Sequence, residues 1–148
     1  MKIIAQNRRA RYDYFLESKF EAGIVLKGTE VKSIRAGEVH LSEAFVELID
    51  NEVYINGMHV SHFRQGNRFN HDEDRRRKLL LNKREIKKLF DASQIQGYTI
   101  IPTKIYLKHG LVKLEIAIAK GKTQYDKRET VKKRDAKREI AKSLKQYE

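Results

Sequence analysis

The segment that decides the fold runs YTIIPTKIYLK (Tyr98–Lys108), then HG, then LVKLEIAIAK (Leu111–Lys120). Both flanks are rich in β-branched and aromatic residues, and His109-Gly110 between them has the chemistry of a tight turn. In the second flank Val112, Leu114, Ile116 and Ile118 share one face. Lys113 and Glu115 take the other, followed there by Ala117 and Ala119. This is the period-2 pattern of a half-buried strand. Pro102 cannot donate to a ladder, so it marks an edge or a bulge.

Moving outward, the same grammar repeats. Ala44–Ile49 and Glu52–Met58 flank Asp50-Asn51 and predict a second hairpin. Tyr12–Glu17 and Phe20–Lys27 read as two strands, and Lys27-Gly28 ends the second. Thr29–Ala36 has Val31 and Ile34 three apart with Gly37 beyond, which predicts a short helix, although TEVKSI also contains strand formers. Asn82 and Glu85 have capping-box spacing ahead of an Ile86, Leu89, Phe90 stripe, so a helix starts there. Ser61–Arg77, seventeen residues with little apolar content, is expected to be a functional loop. Six strand-like segments and two clear helices predict a mainly β chain: a small antiparallel barrel of the oligonucleotide-binding type with two or three short helices. The barrel domain is expected over residues 1–120, with a basic N-terminal arm.

From residue 121 the character changes. Ten basic residues (Lys122, Lys127, Arg128, Lys132, Lys133, Arg134, Lys137, Arg138, Lys142, Lys145) face five acids, leaving +5 on 28 residues. Ala136, Ile140, Leu144 and Tyr147 give only a thin helical stripe. Such a tail is expected to be disordered alone and helical on a partner.

Charge sets the class of partner. With 32 Lys+Arg against 20 Asp+Glu, the 148-residue chain carries +12 and a pI near 9.9. A small domain this basic is suited to a polyanion, since each neutralised phosphate releases counterions. The absence of cysteine excludes disulfides and thiolate metal sites. No apolar run reaches the length of a membrane span and no signal-peptide core follows the N-terminus, so the expected location is the cytoplasm, with no membrane partner.

No P-loop is present. His59 and His62, three apart on or near a strand, are expected to point to opposite faces and make a poor metal pair. The acids of His71-Asp72-Glu73-Asp74 could hold Mg²⁺ in a nuclease, or could pair with Arg75, Arg76 and Arg77. The expectation is no enzyme, no cofactor and no metal. More informative is the run Arg64–Lys78, where Arg64, Arg68, Arg75, Arg76, Arg77 and Lys78 sit beside Phe63, Phe69, Asn70 and His71. Cations suit phosphates, and rings suit unpaired bases.

Four strings carry a resemblance: NRRARYDYF (Asn7–Phe15), GIVLKGTEVKSIRAGEVHLSEAFVEL (Gly23–Leu48), NRFNHDEDRRRKLLL (Asn67–Leu81) and GKTQYDKRET (Gly121–Thr130). In this order they resemble the small protein B family, the partner proteins of tmRNA (SsrA RNA). Thr123 and Tyr125 depart from the Lys and His familiar there. The resemblance implies an oligonucleotide-binding-type barrel that contacts the tRNA-like domain of tmRNA, in a monomeric 1:1 complex, and enters the A site of stalled ribosomes. It implies a tail that becomes helical in the mRNA channel beside the decoding centre, on 16S rRNA. The implied RNA-binding residues are Asn7, Arg8, Arg11, Glu30, Lys32, Arg35, Asn70, His71, Arg75, Arg77 and Lys78. The implied tail residues are Lys122, Tyr125, Asp126, Lys127, Arg128, Lys132, Lys133, Arg134, Lys137, Arg138, Ile140 and Leu144. Glu30 is expected to accept from a base edge, so that Glu30→Ala weakens RNA binding without changing the melting temperature. The alternative reading is another ribosome-associated rRNA-binding protein or translation factor.

Overall fold

A computed structural model describes residues 1–64, 70–123 and 128. The hairpin read first forms the spine. β8 (Tyr98–Lys108) and β9 (Leu111–Gly121) pair from Lys108↔Leu111 to Tyr98↔Lys120. His109 and Gly110 both have positive φ (52° and 76°), as a two-residue primed turn requires. Leu114, Ile116 and Ile118 point into the core. Ala117 and Ala119 are buried as well. The second face is covered too, because α1 (Arg8–Asp13) lays Ala10 against Ile101 and Ala119. Small side chains on both sides let the helix approach the strands closely.

Seven antiparallel strands run in the order β1-β8-β9-β2-β7-β5-β4. The others are β1 (Lys2–Gln6), β2 (Tyr14–Ile24), β4 (Phe45–Ile49), β5 (Glu52–Asn56) and β7 (Arg77–Leu80). A separate ribbon pairs β3 (Val39–His40) with β6 (His59–Val60). The expected barrel is therefore a curled but open sheet: β4 comes back against β8, yet no ladder joins them among the described residues.

Several local expectations change. The N-terminal arm is not an arm: Lys2–Gln6 adds a strand to β8, and Arg8–Asp13 is helical. The two strands predicted over 12–27 are one, β2, whose register against β9 shifts between Leu16 and Lys19. Pro102 marks a bulge in a strand paired on both sides; Thr103 drops out of the β9 register, and its carbonyl instead accepts the Asn7 N–H at 2.7 Å. Arg77 leaves the predicted loop and opens β7, which the sequence had hidden behind its charge.

The helix at Thr29 is α2 (Gly28–Arg35), and α3 spans Lys83–Ser93. The capping box forms as read: Glu85 N–H donates to Asn82 Oδ1 (2.9 Å) and Asn82 N–H to Glu85 Oε1 (3.1 Å). Leu89 is fully buried under α3, whereas Phe90 stays half exposed. Gly57 closes β5 with φ +73°, where a Cβ would lie 2.4 Å from the Glu43 carbonyl oxygen. Among the described residues no helix is long and apolar enough to cross a membrane.

Candidate RNA-binding surface

α2 is held at its first turn by a buried ionic knot. Glu30 stands at the third helical position, and its Oε1 accepts the Lys27 N–H at 2.8 Å, closing the helix N-terminus. The same oxygen accepts from Arg75 Nη2 at 2.6 Å, and Oε2 accepts from Arg77 Nε. Glu30 and Arg77 are both 0% exposed. Arg77 spends its remaining donors on backbone carbonyls: Nη1 on Met58 (2.8 Å) and Arg75 (2.9 Å), Nη2 on Glu73 (3.2 Å) and Asp72 (3.4 Å). A buried charge pair needs such complete satisfaction to be tolerated. Burial by itself pushes the Glu30 carboxyl up, but the bonds from Arg75, Lys27 and Arg77 outweigh it and hold the pKa below the usual carboxylate value. Burial pulls Arg77 downward, opposed by the Glu30 carboxylate.

His71 forms a second pin. Its Nε2 lies 2.8 Å from the Val60 carbonyl and its Nδ1 2.9 Å from Thr29 Oγ1. A carbonyl only accepts, so in the neutral ring Nε2 carries the proton and Nδ1 accepts from the Thr29 hydroxyl. The loop base is closed by Asn70, whose amide accepts from Phe63 N–H (2.8 Å) and donates to Phe63 C=O (2.6 Å). Lys32 Nζ sits 5.2 Å from the centre of the Phe63 ring. The result presents exposed Lys32 and Arg35 from α2, with Phe63 alongside; Arg35 Nη2 also donates to the Gly110 carbonyl at 2.9 Å.

A second basic group gathers at α1. Asn7 is buried, its Nδ2 donating to the Pro102 carbonyl at 3.0 Å, so it anchors the helix to the β8 bulge. Arg8, Arg9 and Arg11 are exposed. Lys122, just past the end of β9, joins this group: its N–H donates to Asp13 C=O (2.8 Å), and its Nζ to Arg11 C=O (2.7 Å) while lying 4.9 Å from the Phe15 ring centre. A cation at orphan carbonyls of a helix C-terminus is favourable.

The expected RNA-binding residues therefore divide. Lys32, Arg35, Arg75 and half-buried Lys78 lie with α2 and β7; Arg8 and Arg11 lie with α1. Arg35 meets the hairpin at Gly110, in its turn, whereas Asn7 meets the middle of β8 at Pro102 and Thr103, and Lys122 joins α1 just past the far end of β9. Glu30, Arg77, His71 and Asn7 have almost no surface, so in this conformation they position the groups that do. In particular, the base-edge role expected for Glu30 is not open to it, since both carboxylate oxygens are taken. Its partners come from β7 and the turn before it, not from Lys32 or Arg35. The sequence signal was available in hindsight: an acid at the third position of a helix N-terminus is a cap first.

The acid run behaves differently from either expectation. Glu73 faces His59 (3.3 Å) and His62 (4.0 Å), and Asp74 faces His59 (3.0 Å). The chain leaves β6 after Val60, so the strand alternation that should have separated the two histidines does not apply. Among the described residues no group of three or more His, Cys, Asp or Glu is arranged to hold a metal ion. Arg76, missing from the expected set, stacks over Tyr54 with Cζ 4.4 Å from the ring centre. Lys78 pairs with Glu52 at 3.1 Å. Of the tail residues, Lys122 is described and Arg128 is described as exposed. Tyr125, Asp126, Lys127, Lys132, Lys133, Arg134, Lys137, Arg138, Ile140 and Leu144 lie outside the described residues.

Known proteins supply the comparison for this geometry. The family model described as SmpB protein matches residues 4–146. An SsrA-binding protein of Bacillus cereus (strain AH820) is 55% identical over 143 residues, 97% of this chain and 92% of the relative. One from Halalkalibacterium halodurans is 53% identical over 145 residues, 98% and 94% of the two chains. A solved chain described as "tmRNA-SmpB: a journey to the center of the bacterial ribosome" superposes with a TM-score of 0.69 at 41% identity, covering 86% of this chain and 93% of that one.

Proposed function

This chain belongs to the SmpB protein family, and on that premise we propose that it binds tmRNA through the tRNA-like domain and delivers it to stalled ribosomes for trans-translation. The observation that carries the reading is the satisfied Glu30–Arg75–Arg77 knot. It fixes α2 before any RNA arrives, so Lys32 and Arg35 meet phosphates without a further ordering cost. Arg8 and Arg11 on α1 supply a second cationic contact, suited to an RNA that spans both ends of the β8–β9 ribbon. The segment from residue 121 onward is the proposed ribosome-engaging tail, acting on 16S rRNA in the mRNA channel near the decoding centre. Its net +5 suits a groove walled by phosphates. In this reading the protein works in the cytoplasm as a monomer, one per tmRNA, and as a binding protein with neither a reaction nor a cofactor of its own.

Sequencing the RNA that co-purifies with the full chain tests the proposal. The expected result is enrichment of tmRNA over its cellular share. In filter-binding competition, unlabelled tmRNA should displace labelled tmRNA far better than bulk rRNA does. Equal displacement by rRNA overturns the reading in favour of a general rRNA-binding protein.

A further inference from the structure

α3 carries four cations that its own stability argues against. Lys83 and Arg84 occupy the first turn, where the positive end of the helix dipole disfavours them. Lys83 faces Lys87, and Arg84 faces Lys88, each one turn apart, where like charges repel. All four are exposed, and none takes part in an ion pair or hydrogen bond among the described residues. The nearest acid in sequence, Glu85, is committed to the cap at Asn82. Asp91 lies on the same face one turn beyond Lys87, yet pairs with neither Lys87 nor Lys88 among the described residues. At 100° per residue the four cations cover a band about 140° wide opposite buried Leu89. Phe90, 49% exposed, borders the band and forms with Ile86, Lys83, Lys87 and Asn51 the walls of a shallow groove.

Neither the fold nor the two basic groups described above uses these residues. Charges placed against local stability point to an external anion that repays them. The band lacks the built-in acceptors that read base edges, and offers point charges at helical spacing beside one ring. That chemistry fits a phosphate backbone, contacted without sequence preference.

We propose that the exposed face of α3 is a separate RNA-docking surface, and that its occupant is ribosomal RNA. This rests on the proposed function: a chain that carries one RNA into a particle built of another touches both at once, and the α1 and α2 groups are already assigned to the first.

The test uses the full-length chain with Lys83→Gln, Arg84→Gln, Lys87→Gln and Lys88→Gln together, since Gln matches Lys and Arg in helix propensity. Three readouts are taken against the parent chain. Thermal melting should be unchanged or shifted upward, because the repulsions are gone. Affinity for purified tmRNA should stay within about threefold. Affinity for vacant ribosomes, titrated against salt, should fall, with a slope of log K on log salt shallower by about 3, from roughly 0.7–0.9 per lost phosphate contact. A lowered melting temperature overturns the proposal, because the cations would then serve the fold. An unchanged ribosome slope overturns it, and so does an equal loss of tmRNA affinity, which would move α3 to the other RNA. If the parent chain itself ignores tmRNA but binds ribosomes, the function reading fails while the α3 assignment is still decided by the ribosome slope.

Discussion

Glu30 and Arg77 stand 47 residues apart in sequence and meet with no exposed surface on either side chain. One belongs to the first turn of α2, the other opens β7. Their contact joins the helix that offers Lys32 and Arg35 to the strand that leads into α3. The salt bridge that fixes α2 against β7 has no exposed surface of its own.

Removing one partner leaves the other charge buried and unpaired. Glu30→Ala is expected to destabilise the chain by about 3–5 kcal/mol, lowering the melting temperature by roughly 10 °C or more. The double variant Glu30→Leu, Arg77→Met should recover a large part of that loss, since a buried pair exchanged for apolar residues is often close to neutral. Urea and thermal melts of the singles and the double check this. An unchanged midpoint in Glu30→Ala would assign the carboxylate to a role outside the fold.

Acid should act through the same carboxyl. Its folded pKa is depressed below the 4.5 of the free side chain. The unfolded chain therefore takes up the proton first as pH falls. The stabilisation is present above pH 4.5 and is lost progressively below it, as pH falls through the folded value. At the alkaline end Tyr106 behaves oppositely: burial and its 2.5 Å hydrogen bond to Glu21 raise its pKa above the ordinary 10.0. Its contribution is present below pH 10 and declines as pH rises beyond it. Urea midpoints against pH should show both limbs. Tyr106→Phe should flatten the alkaline one.

Gly57→Ala should be among the most damaging small changes. The new methyl carbon would meet the Glu43 carbonyl oxygen at 2.4 Å, and the residue would keep a φ of +73°. Backbone on both sides of the clash cannot rotate away as a side-chain tip could. A loss of at least about 1–3 kcal/mol is expected in denaturant unfolding. Gly37→Ala, also at positive φ but with nothing within 4 Å, should cost less.

The boundary of the tail is testable. The sequence places it after Lys120, but Gly121 N–H bonds to Gly97 C=O at 3.3 Å and Lys122 holds Asp13 and Arg11. Truncation after Thr123 should leave the melting temperature nearly unchanged and tmRNA affinity within a few-fold, while abolishing peptide tagging on stalled ribosomes. Truncation after Lys120 should melt several degrees lower, because hydrogen bonds worth roughly 1 kcal/mol each are lost. Full tagging by the chain ending at Thr123 would remove the tail from the mechanism. Ile140→Pro should harm tagging more than Ile140→Ala, since Pro breaks a helix at about 3 kcal/mol.

How much was legible depends on whether the deciding interactions are local. Both hairpins, their turn residues and the Asn82–Glu85 cap follow from contacts within a few positions, and all three formed as read. β1 and β7 were not legible. Lys2–Gln6 is too short to signal a strand until β8 offers an edge, and Arg77 looks like loop until Glu30 neutralises it.

The basic class of the chain, its β-rich grammar and its family were determined by sequence, because charge count, two-residue periodicity and turn chemistry are properties of neighbours along the chain. Which charges are surface and which are scaffold was decided only by the tertiary structure. Arg75 and Arg77 lie two residues apart with the same guanidinium, yet Arg75 keeps 27% of its side chain exposed and Arg77 none. The difference comes from where β7 begins: Arg75 lies in the segment before it, while the strand's alternation turns Arg77 and Leu79 inward together. There Arg77 meets Glu30 and four backbone carbonyls. Such a site exists only once distant segments converge, and desolvation, which no local pattern records, then sets each charge's role.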